Sequence, residues 1–182
     1  EVLLDQAASQ VAGEVKCDFT KMDLYCQYAK ENGLKMRGHT FVWHSQTPAW
    51  FFKEGFDANG ADVTKETMDI RLQQFMDQVF DHIKENYSDL FYAYDVCNEV
   101  VSAGTSSPWY RIYGDYSYVT KAFEFARKAS AGTGIKLYYN DYNCYDEGKA
   151  EKILALVADA KAAGNIDGIG MQSHVNTEFP TI

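Results

Sequence analysis

The chain has 182 residues, enough to bury a core as one domain, and its 46% hydrophobic and 24% charged residues are the balance of a globular protein. A formal net charge of −9 repels polyanions, which excludes a nucleic-acid partner. No apolar run reaches the ~20 residues of a membrane-spanning helix, so no membrane partner is expected, and no segment has the basic and apolar regions of a signal peptide.

Taken in chain order, amphipathic helices alternate with short apolar strands. Thr20 is placed to cap a helix with Met22, Tyr25, Cys26 and Ala29 on its apolar face, stopped by Asn32-Gly33. Leu34 to Trp43 reads as a strand. Thr64 is placed to cap a long helix whose stripe is Met68, Leu72, Phe75, Val79 and Ile83, at spacings of three and four. Phe91 to Val100 is the next strand, and a helix follows around Val119, Ala122, Phe123, Ala126 and Ala129. Ile135 to Tyr142 reads as a strand. Glu147 to Ala163 reads as a helix with Ile153, Leu156, Val157 and Ala160 inward, and Gly164 sits where a left-handed cap belongs. Ile166 to His174 is the last strand. There is no linker, charge block or low-complexity stretch.

This rhythm implies parallel strands with helices outside, in an open doubly wound sheet or a (β/α)8 barrel. No glycine-rich turn follows a strand, so a dinucleotide site is unsupported. The polar residues gather at strand C-termini: His39 and His44, Asn98 and Glu99, Asn140 and Asp141, Gln172 and His174. That is where a barrel builds its site, so the expected fold is an α/β (β/α)8 TIM barrel. Four strands are visible, about half of the eight required.

Cys17, Cys26, Cys97 and Cys144 lack any CxxC spacing and read as free thiols. His39 and His44, five apart in extended chain, face opposite ways, and Gln172 and His174 share a face without carboxylates beside them. No metal is therefore expected. Glu99 ends an apolar strand, with Asp95 and Cys97 assigned to its face by simple alternation. A carboxyl at a strand mouth beside a low-dielectric wall can have a raised pKa and act as a general acid. The same position also suits a solvated loop glutamate. The aromatic fraction, 15%, suits either a Tyr/Phe-rich core or stacking on pyranose rings.

Four runs in order resemble glycoside hydrolase family 10. They are Arg37-Gly38-His39-Thr40-Phe41-Val42-Trp43-His44-Ser45-Gln46 with Pro48 and Trp50, then Tyr94 to Glu99, Tyr139 to Asn143, and Asp167 to His174. The family consists mainly of retaining endo-β-1,4-xylanases with a (β/α)8 fold, working on xylan or xylo-oligosaccharides without a cofactor, and secretion is implied with it. The resemblance implies that Glu99 is the general acid/base and that Asn98 bonds the sugar 2-hydroxyl. By the same resemblance His39 and Trp43 line the subsite of the attacked sugar. Gln172 contacts the acid/base side, His174 orients the nucleophile, and Tyr142 stacks at the leaving-group side. His44, Asp95, Asn140 and Asp141 support them.

Residues 1–182 are thereby expected to be a partial catalytic domain holding strands three to six. The family's second-strand substrate motif would lie before Glu1, and the nucleophilic Glu on the seventh strand would lie beyond Ile182. Glu178 reads as a loop residue rather than a substitute. The expectation is an isolated chain that is inactive, self-associating or complemented by other segments of the barrel. A catalytically incomplete binder gripping xylan through Trp43, Trp50, Trp109 and Tyr142 is the alternative, and related retaining cellulases and mannanases share the Asn-Glu pair.

Overall fold

A computed structural model describes residues 2–180, so the expectations about the two ends touch Glu1, Thr181 and Ile182, outside the described residues. Strand β1 (Leu3–Leu4) leads to α1 (Gln6–Ala12), then β2 (Cys17–Asp18), which pairs antiparallel with β1. After α2 (Thr20–Glu31) come β3 (Met36–Val42), α3 (Lys65–Asn86) and β4 (Phe91–Asn98). Short helices α4 (Val100–Ala103) and α5 (Pro108–Tyr113) precede α6 (Ser117–Ala129) and β5 (Lys136–Asp141). The series ends with α7 (Glu147–Leu156), α8 (Ala158–Ala162) and β6 (Gly168–Met171).

Strands β3, β4, β5 and β6 form one parallel sheet in sequence order. The order never reverses, as it would at the switch point of a doubly wound sheet, so the barrel expectation is the one the topology follows. Helix α3 forms for the reason read from its stripe. Thr64 accepts from the backbone N–H of Thr67 at 3.2 Å, and Met68, Leu72, Phe75, Val79 and Ile83 are buried. Each such side chain stabilises the fold by roughly 1.5–3 kcal/mol relative to exposure. Helix α6 buries Val119, Ala122, Phe123, Ala126 and Ala129 as expected.

Five local expectations fail. Thr20 does not cap α2; the Asp18 carboxylate accepts from the Thr20 N–H and hydroxyl, so the turn is held two residues earlier. Tyr25 is 60% exposed, off the buried face of Met22, Cys26 and Ala29. The expected helix over 147–163 is two, α7 and α8, divided at Val157, with Leu156 only half-buried. Gly164 does take the left-handed conformation (φ 72°), as its N–H bonds to the Lys161 carbonyl and that of Asn165 to Ala160. Each strand is also shorter than its apolar run. Alternation fails once more inside β4. Asp95 pairs with Tyr138 and Cys97 with Tyr139, so two steps of β4 oppose one of β5. The extra residue is a bulge and reverses facing parity beyond it.

A second layer of aromatics fills the space above α3. Trp50, Phe51, Phe52, Phe56, Trp109, Tyr113 and Tyr118 are all buried there. The buried Arg71 guanidinium donates to the carbonyls of Phe51 (2.6 Å) and Lys53 (2.9 Å) and lies 3.8 Å from the Phe56 ring centroid. It thereby satisfies carbonyls of a segment whose own strand pairing is a single isolated bridge, Lys53 with Asp62. All four cysteines are free, as read from their spacing. No helix of the described residues is long and apolar enough to cross a membrane.

Candidate active site

At the C-terminal ends of the four parallel strands lies an open cavity of about 690 Å³. It is lined by His39 and Trp43 from β3 and its exit, Asp95, Asn98 and Glu99 from β4, Asn140 from β5, and Gln172 and His174 beyond β6. Arg37, Gly170 and Met171 also line it and were missed by the sequence reading. Arg37 had a usable signal, being two residues before His39 in the same strand and therefore on the same face.

The bulge explains who reaches the cavity. Asp95 and Asn98 line it together, whereas Cys97, assigned to Asp95's face by strict alternation, is fully buried elsewhere. Glu99 then leaves the strand in the left-handed conformation (φ 56°, ψ 29°), held by its N–H to the Asn140 carbonyl at 2.9 Å. Its carboxylate accepts from Trp43 Nε1 and from Gln172 Nε2, each at 2.9 Å. Gln172 is itself fixed by His174, whose Nε2 lies 2.8 Å from Gln172 Oε1.

Asn98 is 1% exposed and accepts through Oδ1 from Asn140 Nδ2 (2.9 Å) and Gln172 Nε2 (3.2 Å). Turned over, its nitrogen donates to the Asn140 carbonyl (3.2 Å) and its oxygen accepts from Trp43 Nε1 (3.2 Å). The amide has neighbours either way, but turning it would set its NH2 against the Asn140 and Gln172 amide nitrogens, so it keeps the orientation that accepts from both.

Below this layer Asp95 is buried and paired twice, to Arg37 (Nε 3.0 Å, Nη2 2.5 Å) and to His39 Nδ1 (3.0 Å). The Arg37 guanidinium lies 4.6 Å over the Tyr138 ring, and Asp95 raises its pKa. Gly170 makes this possible, since a Cβ there would come within 2.6 Å of both Arg37 Nη2 and Asn140 Oδ1. Because Asp95 is committed to Arg37 and His39, Glu99 is the cavity's one carboxylate available to a ligand among the described residues.

The expected raised pKa of Glu99 is not found. Burial pushes it up, the largest single influence, but hydrogen bonds from Gln172, Trp43 and Asn98, together with the nearby His44, bring it below the ordinary 4.5. The reason is local: three donors stabilise the carboxylate, and Asp95, the other carboxylate lining the cavity, is paired with Arg37 and does not oppose them.

Other predicted residues fall outside the cavity. His44 packs edge-on against Trp43, with Nδ1 buried and unpartnered among the described residues. Asp141 is fully buried behind β5, accepting from Tyr139, Ser102 and Lys149. Tyr142 does not line the cavity; its ring lies under Lys149 Nζ at 3.7 Å. Trp50 and Trp109, named as sugar grips, are 8% and 1% exposed. Trp109 instead donates its indole N–H to the Trp43 carbonyl at 3.0 Å and so supports that residue from behind. Glu178 lies exposed in the loop after β6, away from the cavity lining.

A parallel sheet in sequence order, with polar side chains gathered at its C-terminal mouth, is the arrangement of (β/α)8-barrel proteins, which carry their sites at that end. Comparison is more specific: residues 5–182 match Glycosyl hydrolase family 10, and the chain belongs to that family. It is 42% identical over 191 aligned residues to the bifunctional endo-1,4-beta-xylanase of Ruminococcus flavefaciens, covering 99% of this chain and 20% of that protein. It is 39% identical to a putative endo-1,4-beta-xylanase of Caldicellulosiruptor saccharolyticus, covering 100% of this chain and 60% of that one. Among solved structures it superposes on the CBM22-1–GH10 modules of the Clostridium thermocellum endo-1,4-beta-D-xylanase 10B complexed with xylohexaose. That match has a TM-score of 0.84 and 37% identity, over 95% of this chain and 37% of that one. The intracellular xylanase of Thermoanaerobacterium saccharolyticum matches with a TM-score of 0.77 and 36% identity, over 87% and 50%. The chain therefore spans about half or less of the solved chains just described, and its fold is about half of a (β/α)8 barrel.

Proposed function

We propose that this chain supplies the acid/base side of a retaining endo-β-1,4-xylanase, with Glu99 protonating the glycosidic oxygen and then activating water. The observation that carries the reading is the Glu99 carboxylate held at the strand mouth between Trp43 and Gln172, in a chain of this family. Asn98 meets the sugar 2-hydroxyl, an interaction that strengthens in the transition state. His39 and Trp43 bound the subsite of the attacked sugar, His174 orients the nucleophile, and Tyr142, outside the described cavity lining with one face on Lys149, offers its other face at the leaving-group side. His44, Asp95, Asn140 and Asp141 hold these groups in place. The ligand is xylan or a xylo-oligosaccharide. Because xylan is an external polymer, the enzyme works outside the cell, which fractionation of xylanase activity tests.

Retaining hydrolysis needs a second carboxyl about 5–5.5 Å from the first. Asp95 is tied to Arg37 and His39, so the nucleophile comes from a strand other than these four. Its charge has a second consequence: a carboxylate that close raises the pKa of Glu99, offsetting the three donors and making it an acid at working pH. The isolated chain is accordingly inactive, and function follows assembly with the rest of a barrel.

In the assembled enzyme Glu99→Gln is expected to cut xylan turnover by about 10²–10⁴-fold while xylo-oligosaccharide binding persists. Unchanged turnover would remove the assignment. The alternative of a binding remnant loses support from the burial of Trp50 and Trp109, two of its four aromatic contacts.

A further inference from the structure

Behind Glu99, on the side of β5 away from the cavity, lies a polar cluster that the reaction itself does not use. Asp141 is fully buried and accepts from Tyr139 Oη at 2.7 Å, Ser102 Oγ at 3.0 Å, Lys149 Nζ at 2.8 Å and the Tyr142 N–H at 2.8 Å. Lys149 Nζ also donates to Ser102 Oγ at 2.7 Å and to the Tyr142 carbonyl at 2.5 Å. Tyr139 Oη accepts the backbone N–H of Val101 at 3.1 Å.

Ser102 and Val101 belong to α4, the single turn that begins straight after Glu99. The cluster therefore grips the chain two and three residues beyond a glutamate in a left-handed conformation that L-residues rarely adopt. Such a conformation persists only where its surroundings over-determine it. The place of Lys149 points the same way. It lies in the first turn of α7, where the helix dipole disfavours a cation, and Asp141 is the compensating charge. Its ammonium also sits on the ring of Tyr142.

From this geometry we propose that Lys149, through Asp141, Ser102 and Tyr139, is a positioning residue that locks the turn carrying Glu99 and couples it to Tyr142. It touches no substrate. Its effect is to keep the Glu99 carboxylate aligned with Trp43 and Gln172. The consequence for hydrolysis rests on Glu99 being the acid/base, but the alignment can be measured without turnover.

The test follows the indole N–H resonances of the protein's 3 tryptophans by ¹H–¹⁵N NMR, since Trp43 Nε1 donates directly to Glu99. Two variants are compared with the parent chain. Lys149→Met removes the cation, and Tyr139→Phe removes a neutral hydroxyl without stranding the buried charge. Both are expected to shift the Trp43 indole signal upfield, toward that of a free indole, while Trp50 holds. If Lys149→Met does not fold, Tyr139→Phe decides alone. A lowered melting temperature with the Trp43 signal unmoved would overturn the proposal and leave the cluster a structural brace. In an assembled, active enzyme Lys149→Met is expected to lower kcat with KM nearly unchanged. Absence of xylanase activity in the assembled enzyme would sink the hydrolytic reading without touching the NMR result.

Discussion

Glu99 shows how far a residue's chemistry is set by its neighbours. Sequence placed it at a strand mouth, and low dielectric there argued for a raised pKa. The structure surrounds the carboxylate with Trp43, Gln172 and Asn98, and these donors with His44 outweigh burial, so the pKa is lowered. The sign for stability follows: a depressed folded pKa contributes stability that is full above the unfolded pKa and is lost as pH falls through the folded one. Removing a donor should reverse the shift. In Gln172→Ala, ¹³C NMR titration of the Glu99 carboxyl is expected to give a pKa above that of the parent, and an unchanged titration would contradict the hydrogen-bond account. Asn98, Gln172 and Glu99 were legible because polar residues end otherwise apolar strands. The pairing of Asn98 with Asp95 on one face was not, because no residue in Asp95-Val96-Cys97 marks the bulge.

At the scale of elements, periodicity read well where a long stripe had one partner. Helix α3 obeyed its pattern and its cap, so Thr64→Ala is expected to cost about 1 kcal/mol in urea denaturation, the usual loss of an N-cap. Capping at α2 misled because Asp18, two residues earlier, takes both the Thr20 N–H and its hydroxyl hydrogen and draws Thr20 into the first turn. Strand β6 tells of close approach rather than propensity. Gly170 leaves room for Arg37 and Asn140, so Gly170→Ala is expected to destabilise by roughly 1–3 kcal/mol, as overpacking does, read by thermal melting. A loss near zero would mean that Arg37 swings aside freely. The short helices α4 and α5 were invisible to periodicity. They are too short to show a stripe, and the buried aromatics around Trp109 hold α5.

Over the whole molecule, β3 and β6 each pair on one side only among the described residues, and Leu24, Tyr25 and Tyr28 of α2 are more than half exposed. Unpaired strand edges and uncovered apolar surface favour association. Sedimentation of the chain is expected to show concentration-dependent self-association, relieved by the complementary part of a barrel; a single monomer species at all concentrations would contradict this. The sequence by itself determined the alternation of helices and parallel strands, the end of the sheet that carries the site, and the family, because period, punctuation and motif order are local properties. Tertiary structure alone decided which side chains meet. The β4 bulge placed Asn98 beside Asp95, Trp109 went behind Trp43, and Lys149 came to Ser102, in the turn after Glu99, from 47 residues away along the chain. Such contacts depend on register and on the packing of distant segments, and a one-dimensional pattern records neither.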